Sequence, residues 1–261
     1  MNKLKYTITD KSRKLRGQIV KRTKKIHTLY ENEREKNTQN DKTHEQKHHE
    51  IRIWNAHATL AMKNSKLTLE QVSDIIDGKH IELVSTKILA VKNAYEAYSQ
   101  LFYPHFVNRV SIDPYSIPQM QNIHRAFMTG LSKEAGLFRS DILTGKLQKN
   151  LEDLVTWVKE SKEGLLIKAC AFHYNFICIR PFSEGNEYIA RMWQMLLVHQ
   201  KKGDWVYFGV PVMNVLRKRR QAYYDILAIA DKAVGGAIFI EFMLQTILDA
   251  MTEYENDSSL I

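Results

Sequence analysis

The residues best placed for chemistry lie in the stretch from Phe172 to Val198, FHYNFICIRPFSEGNEYIARMWQMLLV. An apolar helix runs into Arg180-Pro181-Phe182, a polar turn Ser183-Glu184-Gly185-Asn186 follows, and a second helix then carries Arg191 on its first turns. A Gly-Asn pair at the mouth of a helix suits an anion, because the unpaired N–H groups and the helix dipole point the same way. The same residues also suit an ordinary turn closed by a capping Asn, and Arg191 suits a surface ion pair as well as a ligand. His173 lies about two turns before Arg180, roughly 10 Å along the axis, too far to act as a base at the turn. It reads as a satisfied, partly buried histidine, and Tyr223 and Tyr224 as core or rim aromatics. Cys170 and Cys178 lie in the same apolar stretch and read as reduced core thiols. His44, His48 and His49 offer one helical i,i+4 pair and no nearby Cys, a poor metal set.

The elements that must position this turn are helical almost throughout. Thr68 to Gln71 has the capping-box pattern, with Val72, Ile75 and Ile76 continuing a helix that ends near Gly78. The spacing predicts a helix from Ile81 to a stop before Pro104, and another starting at Asp113-Pro114 through Ile117, Met120, Ile123, Phe127 and Met128. Gly130, Gly136 and Gly145 punctuate the next segment, where the short apolar run Ile142-Leu143-Thr144 predicts a small β-hairpin. Helices are then expected over Leu151–Val158, Leu165–Ile179, Ile189–Val198, Val215–Ala230 and Ile238–Met251. The fold class is mainly α.

The formal charge of +9 is uneven. Residues 1–50 carry 14 Lys/Arg against 7 Asp/Glu, and residues 51–261 carry 24 against 22. Leu15, Ile19, Val20, Ile26, Leu29 and Tyr30 recur at helical spacing among the basic residues, and Glu31–Glu50 is polar with nothing to bury. Residues 1–50 are therefore read as a basic amphipathic helix plus a linker or solvated helix, and 51–255 as the main helical domain. The basic helix is either a solvated face packed on that domain or an arm for nucleic acid or an acidic partner, through residues 1–30. No apolar run of about 18 residues occurs and Met1–Asp10 lacks a secretory h-region, so a cytoplasmic protein without a membrane anchor is expected.

The turn resembles the signature loop of the Fic (Fido) family, His-Pro-Phe-x-Asp/Glu-Gly-Asn-Gly-x-Arg ending in Arg-x-x-Arg. Pro181, Phe182, Glu184, Gly185, Asn186 and Arg191 match. Ala135-Gly136-Leu137-Phe138-Arg139 is similar to the element before the family's flap, and Leu67–Val72 and Lys92–Tyr98 resemble segments that follow its N-terminal inhibitory helix. Arg220–Asp231 resembles the helix after the active loop. The resemblance spans about residues 53–251 and implies a helical bundle with a hairpin flap, Ile142, Leu143, Thr144 and Gly145, that docks a protein target. It also implies transfer of AMP from ATP to a target hydroxyl, with Gly185, Asn186 and Arg191 on the phosphates and Glu184 on Mg²⁺.

The departures fall on the chemistry. The family's general base, a His, is Arg180 here, and a guanidinium has no lone pair with which to accept a proton. Its second Gly is Glu187, a carboxylate where phosphate oxygens would lie, and its first phosphate-binding Arg is Tyr188. In the inhibitory helix, Thr59-Leu60-Ala61-Met62-Lys63-Asn64 stands at the family's motif with Lys63 replacing the Glu. Lys63 repels Arg191 instead of pairing with it, or acts through other contacts such as Glu187, while Arg180 reads as pairing with Glu184 or Glu187. These changes predict a pseudoenzyme or very weak adenylyltransferase that binds a protein or a nucleotide, with ATP and Mg²⁺ as the only cofactors implied. The alternatives are a phosphate-donor transferase of altered chemistry and a nucleic-acid-associated regulator. A homo-oligomer is compatible with all three.

Overall fold

The computed structural model describes residues 4, 6–36, 41–102, 112–140, 145–199, 210–232 and 236–256, with the side chains of 29–36, 41–44, 102, 146, 231 and 232 left aside. Eleven helices form among these residues: α1 Asp10–Lys36, α2 Asp41–Ala61, α3 Leu69–Ile76, α4 Ser85–Phe102, α5 Ile117–Met128, α6 Lys146–Glu160, α7 Leu165–Ile179, α8 Asn186–His199, α9 Val212–Lys218, α10 Arg220–Lys232 and α11 Ala237–Asn256. No strand forms among the described residues.

The apolar run of α7 makes it the central helix, because a helix apolar on every side must be covered on every side. It is buried continuously from Leu166 to Phe176 and packs against α6, α8 and α11. Lys168 is buried, and its Nζ donates to Val158 O at 2.6 Å and Ser161 O at 3.2 Å, satisfying carbonyls that the end of α6 leaves open.

Around this centre, α2, α3, α4 and α5 form one side and α1, α9 and α10 pack with α11 on the other. Thr68 caps α3 reciprocally with Gln71, as its spacing predicts. Ser116 caps α5, accepting from Gln119 N, so that helix begins after Asp113-Pro114 and not at them. α4 starts at Ser85 instead of Ile81; Val84 continues the apolar period but is 62% exposed, while Ile81 and Leu83 pack on the core outside the helix. The expected single helix Val215–Ala230 is two, α9 and α10, broken at Arg219.

α2 runs through residue 50, and α1 lays Leu15, Ile19 and Ile26 into the common core against α11. His49 is held by Tyr95 Oη at 2.7 Å and Asp77 Oδ1 at 3.1 Å. Of the expected hairpin, Ile142, Leu143 and Thr144 lie outside the described residues, and Gly145 and Lys146 open α6. Cys170 is buried but Cys178 is exposed, against the expectation of two core thiols. No helix among the described residues is long and apolar enough to cross a membrane.

Candidate functional site

The site begins where α7 stops. Arg180 adopts φ 49°, ψ 61°, a left-handed conformation that costs a non-glycine residue roughly 1–2 kcal/mol. Pro181 follows and lacks the N–H to extend the helix. The surrounding contacts hold this turn in place. Phe182 is fully buried and stacks on the His124 ring, with centroids 3.7 Å apart and planes at 1°. Asn186 accepts from Phe182 N at 2.9 Å and donates to Phe182 O at 2.7 Å. Its amide oxygen and one of its two N–H groups are thus used in closing the loop.

His124, on α5, pins the loop from the other side. Its Nε2–H donates to Glu184 O at 3.0 Å, and its Nδ1 accepts from Gly136 N at 2.9 Å. One neutral tautomer satisfies both bonds. Burial pushes its pKa down to about 4, with the Arg125 charge adding to the shift and the bond to Glu184 opposing it. Gly185 is required beneath it: φ is +75°, and a Cβ there would come within 3.1 Å of His124 Nε2 and 3.2 Å of Met128 Sδ. Arg139 N donates to Pro181 O at 3.0 Å, and Ser183 Oγ donates to the Glu134 carboxylate, so the Gly136–Arg139 segment is fastened to the loop as well.

Beyond the loop, α8 presents its N-terminus and the carboxylate of Glu187 sits there. Lys63 Nζ lies 2.9 Å from Glu187 Oε1. Burial opposes the charged form of Glu187, but the bonds from Lys63 and from its own backbone N–H, with the nearby charges of Lys63 and Arg191, outweigh it and lower the pKa. The expected pairing of Arg180 with Glu184 or Glu187 is not present among the described residues. Arg180 and Glu184 are exposed, and Glu187 faces α2 instead.

Lys63 is delivered by the turn that follows α2. Asn64 has φ 67°, the left-handed cap that ends the helix. Met62 O accepts from Arg220 Nε at 2.9 Å and Tyr224 Oη at 3.0 Å, tying this turn to α10. Thr59 is buried, and its Oγ1 lies 2.7 Å from Tyr98 Oη, tying α2 to α4.

Behind Glu187 stands Arg191, only 2% exposed. Its Nε, Nη1 and Nη2 make no hydrogen bond of good geometry among the described residues, although the Tyr223 oxygen is close enough to stabilise its charge. The hydroxyls of Tyr224, Tyr98 and Tyr188 also surround it, and its Cζ lies 5.6 Å from the Tyr188 ring. Tyr188 itself stacks on Phe127 at 4.3 Å and supplies no cation.

His173 bonds Gln194 Oε1 through Nδ1 and Tyr223 Oη through Nε2, the latter at 2.9 Å. Burial drives its pKa down to about 3. Because a neutral His173 donates from Nδ1 to the Gln194 oxygen, Tyr223 must donate its proton to Nε2. The lone pairs of the Tyr223 oxygen are then left for Arg191.

Glu187 thus meets Lys63 with the Arg191 charge close by, Gly185 lies against His124 and Asn186 is bonded to Phe182, and Arg180 and Glu184 stay outside on the exposed turn. Sequence reasoning missed His124, although Met120, Ile123 and Phe127 place it on the buried face of α5. It also missed the Gln194–His173–Tyr223 chain, for which no motif exists.

The seat can receive an anion only if Glu187 leaves it. At an effective dielectric of about 20, two negative charges roughly 4 Å apart repel by about 4 kcal/mol. The residues present therefore do not fit ATP and Mg²⁺ in the pose that the family signature implies. No group of three His, Cys, Asp or Glu side chains able to hold a metal forms among the described residues.

The Fic/DOC family matches residues 114–198. A Fic family protein from Desulfovibrio desulfuricans is 30% identical, with a TM-score of 0.82 over 96% of this chain and 76% of that one. A form of Fic-1 from C. elegans is similar in fold at 19% identity, with a TM-score of 0.71 over 94% of this chain and 72% of that one. A Fic domain containing signaling protein from Bacteroides thetaiotaomicron gives a TM-score of 0.64 at 14% identity, covering 90% of this chain and 94% of that one.

Proposed function

Because this chain belongs to the Fic/DOC family, whose fold serves transfer of AMP and related phosphate groups, we propose that it is a cytoplasmic pseudoenzyme of that fold. It keeps the scaffold of the loop, holds its own phosphate seat closed, and acts by binding a protein partner. The observation that carries this reading is the Glu187 carboxylate, fixed at the start of α8 by Lys63 at 2.9 Å. The anion at the helix mouth is the protein's own.

The missing base points the same way. Arg180 stands where the family signature has its His, a guanidinium offers only donors, and loss of general-base catalysis costs about 10²- to 10⁴-fold, roughly 3–5 kcal/mol of barrier. The reading is tested by transfer of labelled AMP from ATP to protein. Arg180→His alone restores no transfer, because Glu187 and Tyr188 still oppose the phosphates. Arg180→His with Glu187→Gly and Tyr188→Arg restores a measurable rate. Substantial activity from the single change overturns the reading.

One observation favours a second reading, a transferase of altered donor. Arg191 is a buried guanidinium met by tyrosine oxygens and by the nearby charge of Glu187, yet its N–H groups make no hydrogen bond of good geometry among the described residues, and an anionic ligand would offer them strong acceptors. Calorimetry with ATP, GTP and CDP-linked donors, with and without Mg²⁺, separates the two. Tight binding that Arg191→Ala abolishes supports the transferase.

A further inference from the structure

The second unusual feature of the molecule lies on α1, far along the sequence from the loop. From Lys11 to Lys25 the helix carries Lys11, Arg13, Lys14, Arg16, Lys21, Arg22, Lys24 and Lys25 and no acidic residue. Some of this charge is consumed within the fold. Lys11 pairs with Glu241 at 3.0 Å, Arg22 with Glu255 at 3.0 Å, and the Arg16 guanidinium lies over Gly164. The remaining acids of α11 are taken by other cations, Asp249 by Arg219 and Glu253 by Lys218.

What is left points outward. Lys14, Lys21 and Lys24 are exposed and make no ion pair among the described residues. Arg13 meets only Asp10 at 3.6 Å, and Lys25 only the already shared Glu255 at 3.5 Å, both at exposed sites. With 3.6 residues per turn, Lys14, Lys21 and Lys25 stand in one column within about 20°, spaced by roughly 10 and 6 Å, and Arg13 and Lys24 form a second column beside it. Gly17 lies between them, and a Cβ there would meet nothing, so the stripe is open along its length.

We propose that this face of α1, carrying Arg13, Lys14, Lys21, Lys24 and Lys25, is a docking surface for the phosphate backbone of a nucleic-acid duplex. Charge complementarity selects the partner: a linear array of cations without intervening acids matches a linear array of phosphates. An anionic membrane is disfavoured, because an interfacial helix must bury an apolar face in the lipid. On α1 that face, Leu15, Ile19 and Ile26, is already buried in the protein core, and Val20 is the exposed large apolar residue of the helix. Besides its cations the outward face holds Gly17, Val20, Thr28 and one amide, Gln18. It therefore grips the backbone and does not read bases.

The test is fluorescence anisotropy of the full chain with two unrelated 20-base-pair DNA duplexes at 50 and 200 mM salt. Engagement of about four phosphates predicts a loss of affinity of about 100-fold between the two salt concentrations, alike for both duplexes. Lys14→Glu with Lys21→Glu and Lys24→Glu lowers affinity at least tenfold at 50 mM and flattens the salt dependence. An equal charge change on exposed residues of and just beyond α6, Lys149→Glu, Lys159→Glu and Lys162→Glu, leaves binding close to wild type. The proposal is overturned by no duplex binding at 50 mM, by equal losses in the two triple variants, or by binding to phosphatidylserine vesicles with none to duplex.

Discussion

Lys63 Nζ lies 2.9 Å from Glu187 Oε1, joining the turn after α2 to the first turn of α8. Each residue replaces an oppositely charged or neutral group of the family signature, and the two replacements meet. Lys63 stands where the signature implies a Glu aimed at Arg191, and Glu187 stands where it implies a Gly. A cation at the end of α2 would repel Arg191, and the Glu187 carboxylate between them removes that repulsion. The changes are thus electrostatically one change. Since both side chains keep some exposure, solvent screens the pair, and a double-mutant cycle of Lys63→Ala and Glu187→Ala is expected to give a coupling of about 0.5–1 kcal/mol in urea unfolding. Zero coupling would show that the pair does not hold in solution.

The lowered pKa of Glu187 sets the pH window of that contribution. A carboxyl whose folded pKa is depressed stabilises the fold above its ordinary value of 4.5 and loses that stabilisation as pH falls through the folded pKa. The coupling between Lys63 and Glu187 should therefore be full at pH 7 and be lost only as pH falls below 4.5 and through the lowered folded pKa. A coupling that already fades above pH 4.5 would contradict the ion pair.

His124 gives a second acid-sensitive element. Its folded pKa of about 4 lies below the ordinary 6.5, so the unfolded chain takes up the proton first. Its contribution is present in full above pH 6.5 and is lost as pH falls towards 4, by about 3 kcal/mol in total. His124→Ala should cost about 2 kcal/mol or more at pH 7 through the lost bonds to Glu184 O and Gly136 N. It should also reduce the slope of stability against pH between 4 and 6.5 by about one proton. Chemical unfolding across that range checks both, and an unchanged slope would mean that His124 titrates normally in the fold.

Arg191 should show the opposite balance. Replacing a buried guanidinium that makes no hydrogen bond of good geometry by an apolar side chain of similar volume is often neutral or stabilising. Arg191→Met is expected to hold or raise stability, by up to about 2 kcal/mol, in thermal and urea unfolding. A loss of about 3 kcal/mol would show that the guanidinium is paired in solution.

The sequence made the helices legible where caps and period agreed, as at Thr68–Gln71 and along Leu165–Ile179. It failed where only the period spoke: Ile81 and Val84 continue an apolar repeat, yet Val84 remains in solvent and α4 waits for Ser85. The replacements at Arg180, Glu187 and Tyr188 were readable because side-chain chemistry is written in the residue type. Direction is not. Asn186 has a type that fits a phosphate contact, and only the packing of Phe182 turns its amide inward. His124 carried no motif because its partners, Glu184 O and Gly136 N, are backbone atoms distant in the chain.

The most direct measurement is calorimetric titration of ATP and Mg²⁺ into the wild-type chain and into Glu187→Gly. With the seat filled by its own carboxylate, the wild type should bind nothing at millimolar nucleotide, and Glu187→Gly should bind in a manner that a further Arg191→Ala abolishes. Micromolar, Arg191-dependent binding by the wild type, unimproved by Glu187→Gly, would contradict the closed seat.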